Sequence, residues 1–316
     1  MDFKELTQRQ GWTLRQKIDH SLGVIEQFSS HYDGRVFVSF SGGKDSCVML
    51  SLVEMILPRV PCVFVQTGCE MPAVVRFVRE MQADHNIRMI RPRRTMKEVF
   101  RKCGFPLVSK EVSHDIENVR KNPYGISARK KLWLGNPNHI PERWMYLLNE
   151  PYQVSDRCCY HLKKAPSHKY IHDTQTYPFI GLLANESRAR ATAYISRGGC
   201  NSFNETSRAY PASWPLAIWT DSDVWAYIRD RHLRLPDVYA MGANRTGCMG
   251  CGFGCYREST NLETLYRLYP RWYDTILSYR NGETTYREAL RTMLAKVNRR
   301  LPDEGDPSTS NLGGSF

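Results

Sequence analysis

The stretch VSFSGGKDSCVML, residues 38–50, decides how this chain is built. An apolar run ending at Phe40 meets SGGKDS, and a second apolar run follows at once. A glycine-rich turn between a strand and a helix N-terminus directs several backbone N–H groups toward one point, and the helix dipole adds partial positive charge there. The pattern therefore predicts an anion site, with phosphate as the anion.

Each side chain of this loop has a place in that prediction. The glycines let the backbone approach phosphate closely, the serines can donate hydroxyl hydrogens and the lysine supplies charge. Asp45 would repel phosphate unless it meets a magnesium ion or caps the helix. Val38 stands where a Walker A loop has its first glycine, so the loop is of another type. The residues predicted to hold the anion are Ser41, Gly42, Gly43, Lys44, Asp45 and Ser46.

Composition limits the class of protein. The chain has 316 residues, of which 41% are hydrophobic, enough for one large domain with appendages or for two domains. The start is polar and no 18-residue apolar run exists, so we expect a soluble cytoplasmic protein without a membrane partner. In that compartment ten cysteines favour a metal, a cluster or catalytic thiols over disulfides. Cys47, Cys62 and Cys103 have apolar neighbours and are expected to be plain buried thiols.

Strand-like runs alternate with helix-like runs through much of the chain. This rhythm predicts an α/β fold, with a parallel sheet covered by helices on both faces. The predicted strands are 36–40, 61–67, 87–90, 179–183 and 215–219, and the helices that follow the first three and the last are 46–56, 73–85, 95–103 and 222–232.

The predicted organisation has four parts. Residues 1–34 form an N-terminal helix and residues 35–259 the α/β domain. Within that domain, Pro, Gly and Asn break any periodicity around 115–150, which predicts a long insertion. Residues 260–300 contain two amphipathic helices, at about 261–279 and 284–299, and 301–316 form a disordered tail.

Four ordered segments resemble one family. SGGKDS after a strand is similar to the PP-loop of ATP pyrophosphatases and sulfonucleotide (PAPS/APS) reductases. QTGCEMPAVVRFVRE (66–80) resembles the family's second strand and following helix, and WPLAIWTDSDVWAYI (214–228) a later segment. LPDVYAMGANRTGCMGC (235–251) resembles the stretch that leads into its late cysteine pair. The similarity spans roughly residues 30–255.

This resemblance implies an adenine-nucleotide α-hydrolase-like fold, in which 35–259 is a PP-loop nucleotide-binding domain. The implied ligand is ATP or adenylylated sulfate, with Mg²⁺ as an allowed further cofactor. Lys44 and Asp45 are then the candidate catalytic residues, and Arg188 and Arg190 resemble the family's basic strip over the nucleotide. The implied nucleotide-binding residues are Ser39, Ser41, Gly42, Gly43, Lys44, Asp45, Ser46, Thr67, Gly68, Glu70, Arg188 and Arg190.

Two cysteine patterns predict a metal centre. A CxxC turn directs two thiolates at one metal, and a second pair from elsewhere completes four ligands. The pairs here are Cys158 with Cys159 and Cys248 with Cys251. Adjacent cysteines combined with a late CxxC match the [4Fe-4S] branch of the APS reductases, while zinc and the absence of metal remain alternatives. Cys255 is a third candidate in the late pattern, either as ligand or as a free thiol.

Other residues of that branch are matched only in part. Lys163 and Lys164 resemble its basic residue near the cluster, where a cation would stabilise four thiolates. Cys69 and Cys200 are expected to be ordinary thiols. Reductases of this family have a nucleophilic cysteine in a short C-terminal motif, and no cysteine follows Cys255 here.

A basic window distinguishes the functions that remain. Residues 86–131 contain 13 Lys and Arg against 4 Asp and Glu, and Tyr124, Trp133 and Trp144 lie within or just after it. Such charge attracts nucleic acid or a phosphorylated small molecule, and aromatic rings can stack on bases.

Three functions are therefore compatible with the sequence. The first is ATP-dependent sulfur transfer into tRNA or DNA, assisted by the cluster, with a thiol or sulfur-donor protein as partner. The second is a sulfonucleotide reductase that releases sulfite with an external thiol or Cys255. The third is a non-catalytic nucleotide-binding accessory protein.

Overall fold

The computed structural model describes residues 2–204, 210–257 and 261–305. The chain divides into two compact units, and each is treated separately below. The first unit comprises Met1–Gln66, Pro72–Arg91 and Pro166–Thr246, and the second comprises Thr67–Met71, Pro92–Ala165 and Gly247–Phe316. Most of the predicted disordered tail, residues 306–316, lies outside the described residues.

The first unit is built on a six-stranded sheet in the order β3-β2-β1-β4-β6-β5. Its strands pair in parallel except β5, which runs antiparallel at the edge. Strands β2 and β3 lie on one side of β1, and β4, β6 and β5 lie on the other. The strand order therefore reverses beside β1. Ligands of open α/β sheets bind at such a reversal, outside the carboxyl ends of the strands. The strands are β1 Val36–Ser39, β2 Cys62–Val65, β3 Ile87–Ile90, β4 Tyr177–Ile180, β5 Asn201–Ser202 and β6 Ala212–Ser213, and the second unit has the hairpin β7 Arg280–Asn281 and β8 Thr284–Thr285.

Helices cover both faces of this sheet. Successive residues of a strand point to opposite faces, yet Val36, Phe37 and Val38 are all at most 2% exposed. Strands buried on both faces are typical of parallel sheets in α/β proteins. The expected fold class is confirmed. The helices are α1 Phe3–Gln10, α2 Leu14–His31, α3 Lys44–Glu54, α4 Pro72–Met81, α5 Met96–Cys103, α6 Lys110–Lys121, α7 Ile126–Leu132, α8 Arg157–Cys159, α9 Ala165–Thr174, α10 Arg188–Ser196, α11 Asp221–Asp230, α12 Asn261–Leu268, α13 Pro270–Leu277 and α14 Tyr286–Ala295.

Local sequence explains where several of these helices begin. Helices α2, α5, α11 and α14 each start at a threonine whose side chain accepts a hydrogen bond from the third helical residue. The Gln, Glu or Asp at that third position accepts in return from the threonine backbone, which completes a capping box. Each box satisfies two backbone donors that the first turn would otherwise leave unpaired.

One predicted strand was wrong. PLAIW, residues 215–219, forms turns and no strand, although its apolar side chains from Leu216 to Trp219 are fully buried. A short apolar run indicates that a segment is buried but does not determine its backbone conformation. The strand in this region is β6, which lies just before residues 215–219. The region 115–150, predicted to be an insertion, contains the end of α6, all of α7 and a 3₁₀ helix at Glu142–Leu148.

The second unit is mainly helical around an aromatic core. The Phe100, Phe105 and Tyr286 rings pack with centroids 4.8–5.6 Å apart, and all three side chains are buried. The predicted helix 261–279 is two helices, because Pro270 starts α13 and cannot continue α12. Among the described residues, no helix has the length and apolar character needed to cross a membrane.

Candidate functional site

The glycine-rich loop leaves β1 and enters α3 at the sheet's reversal point, in the first unit. Gly42 has a φ of +71°, and a Cβ there would lie 2.9 Å from the side chains of Val74 and Val78 on α4. A Cβ on Gly43, the N-cap of α3, would meet the Thr246 hydroxyl at 2.6 Å. Gly42 is thus required by its left-handed backbone as well as by close packing, and Gly43 by close packing alone.

Hydroxyl groups hold this loop in shape. The backbone N–H groups of Gly43 and Lys44 donate to Ser41 Oγ at 3.3 Å and Tyr239 OH at 3.0 Å. The Ser46 hydroxyl donates to the Gly43 carbonyl at 2.8 Å and accepts from the Ser41 backbone at 3.2 Å. Neutral oxygens therefore occupy amide donors that an anion would bind more strongly. Tyr239 was not predicted from the sequence, since nothing local marks its position against the loop.

Lys44 is buried between two carboxylates. Its Nζ lies 2.9 Å from Asp45 Oδ1 and 2.6 Å from Asp221 Oδ1, and its side chain is 8% exposed. Burial lowers the pKa of Lys44, but the hydrogen bonds and charges of Asp221 and Asp45 outweigh it and raise that pKa above its usual value. The ammonium is therefore held charged in the loop. Asp221 was not predicted as a site residue; it is the first residue of α11, directly after the helix cap Thr220.

The predicted metal-ligand cysteines all lie in the second unit. Cys158 and Cys159 belong to α8, which runs into a π-helical turn at Tyr160–Lys164, a feature frequent at functional sites. Cys248 and Cys251 lie in the loop before α12. The two pairs lie close enough to interact: besides the hydrogen bond with Cys159 and burial, the charges of Cys251 and Cys248 help to raise the pKa of Cys158.

The pKa values of the adjacent thiols Cys158 and Cys159 shift in opposite directions. A hydrogen bond with Cys159, followed by burial, raises the pKa of Cys158. The same hydrogen bond lowers the pKa of Cys159, and the nearby Lys110 and Lys163 also favour its thiolate. The charge of Cys248 raises the pKa of Lys163, which also hydrogen-bonds that sulfur. The thiolate of Cys159 is therefore favoured, whereas burial raises the pKa of Cys251 to about 12.

This donor set fits an iron–sulfur cluster in its chemistry. Within 2–204, 210–257 and 261–305, no group of three or more His, Cys, Asp or Glu residues converges closely enough to hold a single metal ion. A [4Fe-4S] cluster distributes four thiolates over four irons, so its ligands need not converge on one point. Lysine near those thiolates offsets their negative charge.

Comparison with known proteins identifies the family. The pattern of the phosphoadenosine phosphosulfate reductase domain matches residues 35–124 and 137–252. The chain belongs to this family. That assignment agrees with the PP-loop resemblance of residues 41–46.

Individual relatives of this reductase-domain protein are distant. An adenosine 5′-phosphosulfate reductase of Staphylococcus epidermidis is 23% identical over 224 residues, covering 70% of this chain and 71% of the relative. An uncharacterized protein of Methanocaldococcus jannaschii is 25% identical over 266 residues, covering 82% of this chain but 45% of the relative. The chain thus spans about half the length of the archaeal protein. A phosphoadenylyl-sulfate reductase structure from Candida auris has a TM-score of 0.40 at 15% identity, covering 67% of this chain and 80% of that one.

Other residues that the family resemblance implied are placed as follows. In the second unit, Thr67 and Glu70 form a closed turn, with Thr67 Oγ1 donating to Glu70 Oε1 at 2.5 Å and the Gly68 N–H donating to Oε2 at 3.1 Å. In the first unit, Arg188 is exposed and Arg190 pairs with Glu186 at the start of α10. Ser39, at the end of β1, is half-buried. Their nucleotide contacts stay predictions.

Two further cysteines of this family member are buried. Cys255 is 5% exposed, its Sγ lies 3.0 Å from the Gly252 carbonyl, and burial raises its pKa to about 12. A thiol in that state is a poor nucleophile. Cys69 is fully buried beside the predicted ligand Cys248, so it is a fifth thiol of the cysteine group, although its pKa is raised mainly by burial.

Some charges of the basic window form ion pairs within the protein, and others are exposed. Lys131 forms an ion pair with the buried Asp115 at 2.7 Å, so it stabilises the fold. On α7, Arg129 and Lys130 are exposed. The flanking Tyr124 and Trp133 are 84% and 66% exposed, which is unusual for large rings. Trp144, the third predicted surface aromatic, is 2% exposed and belongs to the core.

Proposed function

We propose that this protein is a nucleotide-dependent sulfur-transfer enzyme whose acceptor is nucleic acid. The observation that favours this function most is the surface of α7, where Arg129 and Lys130 lie exposed between the exposed rings of Tyr124 and Trp133. Cations attract a phosphate backbone and rings stack on unpaired bases. A reductase acting on one small nucleotide has no need of such a surface.

The loop residues would bind the nucleotide phosphates. Lys44 is held charged at the N-terminus of α3, where the amides of Gly43 and Lys44 can exchange hydroxyl partners for phosphate oxygens. Asp45 and Asp221, now paired with Lys44, would be free to hold Mg²⁺ once the ammonium turns to phosphate. These residues thereby orient the phosphate chain and balance its charge.

The cysteine group would hold the cluster in the second unit. Cys158, Cys159, Cys248 and Cys251 are the proposed ligands, and a bound [4Fe-4S] cluster supplies redox chemistry or Lewis acidity. Lys163 would stabilise the thiolates through its hydrogen bond with the Cys248 sulfur. Its charge lets four anionic ligands lie together at moderate cost.

Sulfonucleotide reduction is the second candidate, favoured by the relative named adenosine 5′-phosphosulfate reductase. That reaction needs a thiol nucleophile, and Cys255 is buried with its proton held. An external thiol would have to attack instead. The third candidate, an accessory protein, would bind nucleotide without turnover.

One experiment separates the three. Protein purified without oxygen is given ATP, a labelled sulfur donor and tRNA or DNA in one arm, and APS or PAPS with thioredoxin in the other. Label in the nucleic acid, dependent on ATP, supports sulfur transfer. Sulfite release in the second arm, with no labelled nucleic acid in the first, supports the reductase. Nucleotide binding with neither product identifies the accessory protein.

A further inference from the structure

Helices α12, α13 and α14 of the second unit pack against the loop that carries the late cysteine pair. All three begin after residue 252, where the matched family pattern ends. Gly250 of this loop has a φ of +66°, and a Cβ there would lie 2.5 Å from the Ile276 side chain on α13. A Cβ on Gly252 would lie 2.5 Å from the Tyr286 hydroxyl on α14. The cysteine loop therefore lies with its backbone directly against the C-terminal helices.

Side chains of two of these helices donate hydrogen bonds to carbonyls of the CxxC turn. The Tyr286 hydroxyl donates to the Gly250 carbonyl at 2.9 Å, with the Pro106 carbonyl at 3.4 Å as a weaker second acceptor. Asn261, the first residue of α12, donates from Nδ2 to the Cys248 carbonyl at 3.3 Å. A buried carbonyl without a donor is costly, so each hydrogen bond favours one orientation of its peptide group. The orientation of these peptide groups sets the directions in which the two cysteine side chains leave the turn.

The same turn places an amide beside a sulfur. Burial and the charge of Cys248 raise the pKa of Cys251, and a hydrogen bond from the Phe253 N–H opposes them. Amide donors to the sulfurs of an iron–sulfur cluster are among the groups that set its reduction potential. Phe253 directly follows Gly252, whose backbone packs against the Tyr286 hydroxyl. The phenol therefore constrains the position of this amide.

The ring of Tyr286 and its hydroxyl have separate surroundings. The ring belongs to the aromatic core, with centroids 4.8 Å from Phe100 and 5.0 Å from Phe105. A phenylalanine would fill that core equally well without burying a polar atom. The hydroxyl lies instead at the backbone of the cysteine loop. The packing of the core thus explains the ring and leaves the hydroxyl to be explained by the loop.

We infer that Tyr286 is a positioning residue for the cysteine centre. Its hydroxyl, together with the Asn261 amide, holds the turn in the conformation in which Cys248 and Cys251 can both bind the cluster. The C-terminal helices thereby complete a centre whose cysteines all lie within or before the loop. This inference rests on the cluster of the proposed function.

Tyr286→Phe tests the hydroxyl, because it keeps the ring in the aromatic core. The full chain is purified without oxygen, its iron is counted, and release of iron to the chelator ferrozine is followed by absorbance. Loss of a group that orients a metal ligand should make the variant hold iron about tenfold to hundredfold more weakly than the wild type. The reduction potential, measured by a titration followed by electron paramagnetic resonance, should become more negative. The reason is that the Phe253 N–H, held less firmly against the Cys251 sulfur, stabilises the reduced cluster less.

Tyr273→Phe is the matched control, because it removes another buried hydroxyl of the same unit, one that donates to Asp303 at 2.6 Å. It should lower the melting temperature but leave iron release and the reduction potential as in the wild type. Asn261→Ala removes the second donor without touching the aromatic core and should also speed iron release. It keeps the test available if Tyr286→Phe does not fold.

Three results would overturn the inference, and they differ in what else they refute. Iron in the wild type with unchanged release and potential in both Tyr286→Phe and Asn261→Ala refutes the positioning role but leaves the cluster standing. Equal changes in Tyr273→Phe would show that any loss of stability loosens the iron, which refutes a specific role for Tyr286. The absence of iron from the wild type refutes the cluster of the proposed function itself.

Discussion

Lys44→Ala tests the loop most directly. In the native loop the ammonium interacts with both Asp45 and Asp221, so the alanine variant leaves two carboxylates facing each other. Asp221 is 62% exposed and water screens it, which limits the loss of folding stability to roughly 1 kcal/mol or less. The variant should therefore fold with a nearly unchanged melting temperature.

Nucleotide affinity should respond far more strongly. A charged hydrogen bond to phosphate is worth about 1.5–3 kcal/mol, so Lys44→Ala should weaken ATP or APS binding by roughly tenfold to a hundredfold. Titration calorimetry with ATP, APS and PAPS, each with and without Mg²⁺, measures this. Unchanged affinity for all three ligands in a folded variant would refute the assignment of the loop.

Asp221→Asn is the matched variant, because it changes the partner and keeps Lys44. Without Mg²⁺, the variant no longer has the Asp221 carboxylate competing with nucleotide phosphate for the Lys44 ammonium. Nucleotide affinity should therefore rise, by at most about fivefold because this carboxylate is largely exposed. With Mg²⁺ affinity should fall if Asp221 holds the ion. A fall in both conditions would mean that this carboxylate positions Lys44 for phosphate.

The remaining predictions concern the cluster, the nucleic-acid surface and stability. Protein purified without oxygen should contain about four irons per chain. Cys248→Ser should remove this iron, whereas Cys200→Ser, in the other unit, should not. One zinc per chain in place of iron would refute the cluster. Reversing Arg129 and Lys130 to glutamate should weaken RNA binding and lower its slope against log salt by roughly two, and an unchanged slope would contradict the α7 surface. Asp223→Asn should cost about 3–5 kcal/mol in urea unfolding, because its lysine partner at 2.6 Å is buried. Burial alone would raise the pKa of Asp223, but hydrogen bonds with Lys17 and with the helix cap Thr220 lower it. The wild-type protein should therefore lose the stability that this carboxylate contributes as pH falls below about 4, and the variant should show no such loss.

The fold was largely predictable because its signals are local. The alternation of apolar runs, the threonine caps and the loop 41–46 each depend on neighbouring residues. The strand prediction failed at 215–219, where burial and backbone shape separate, and around 115–150 no periodicity indicated the helices that form there. In both regions packing against distant segments decides the structure, and single-sequence patterns do not report it.

The candidate site shows the same limit more sharply. The loop and the cysteine pairs were visible as motifs. Asp221 and Tyr239 reach the loop only through folding, because they lie 177 and 195 residues after Lys44 in the chain. Contacts of this kind are a property of the assembled structure, because they join residues whose sequence positions share no spacing, so no local motif predicts them.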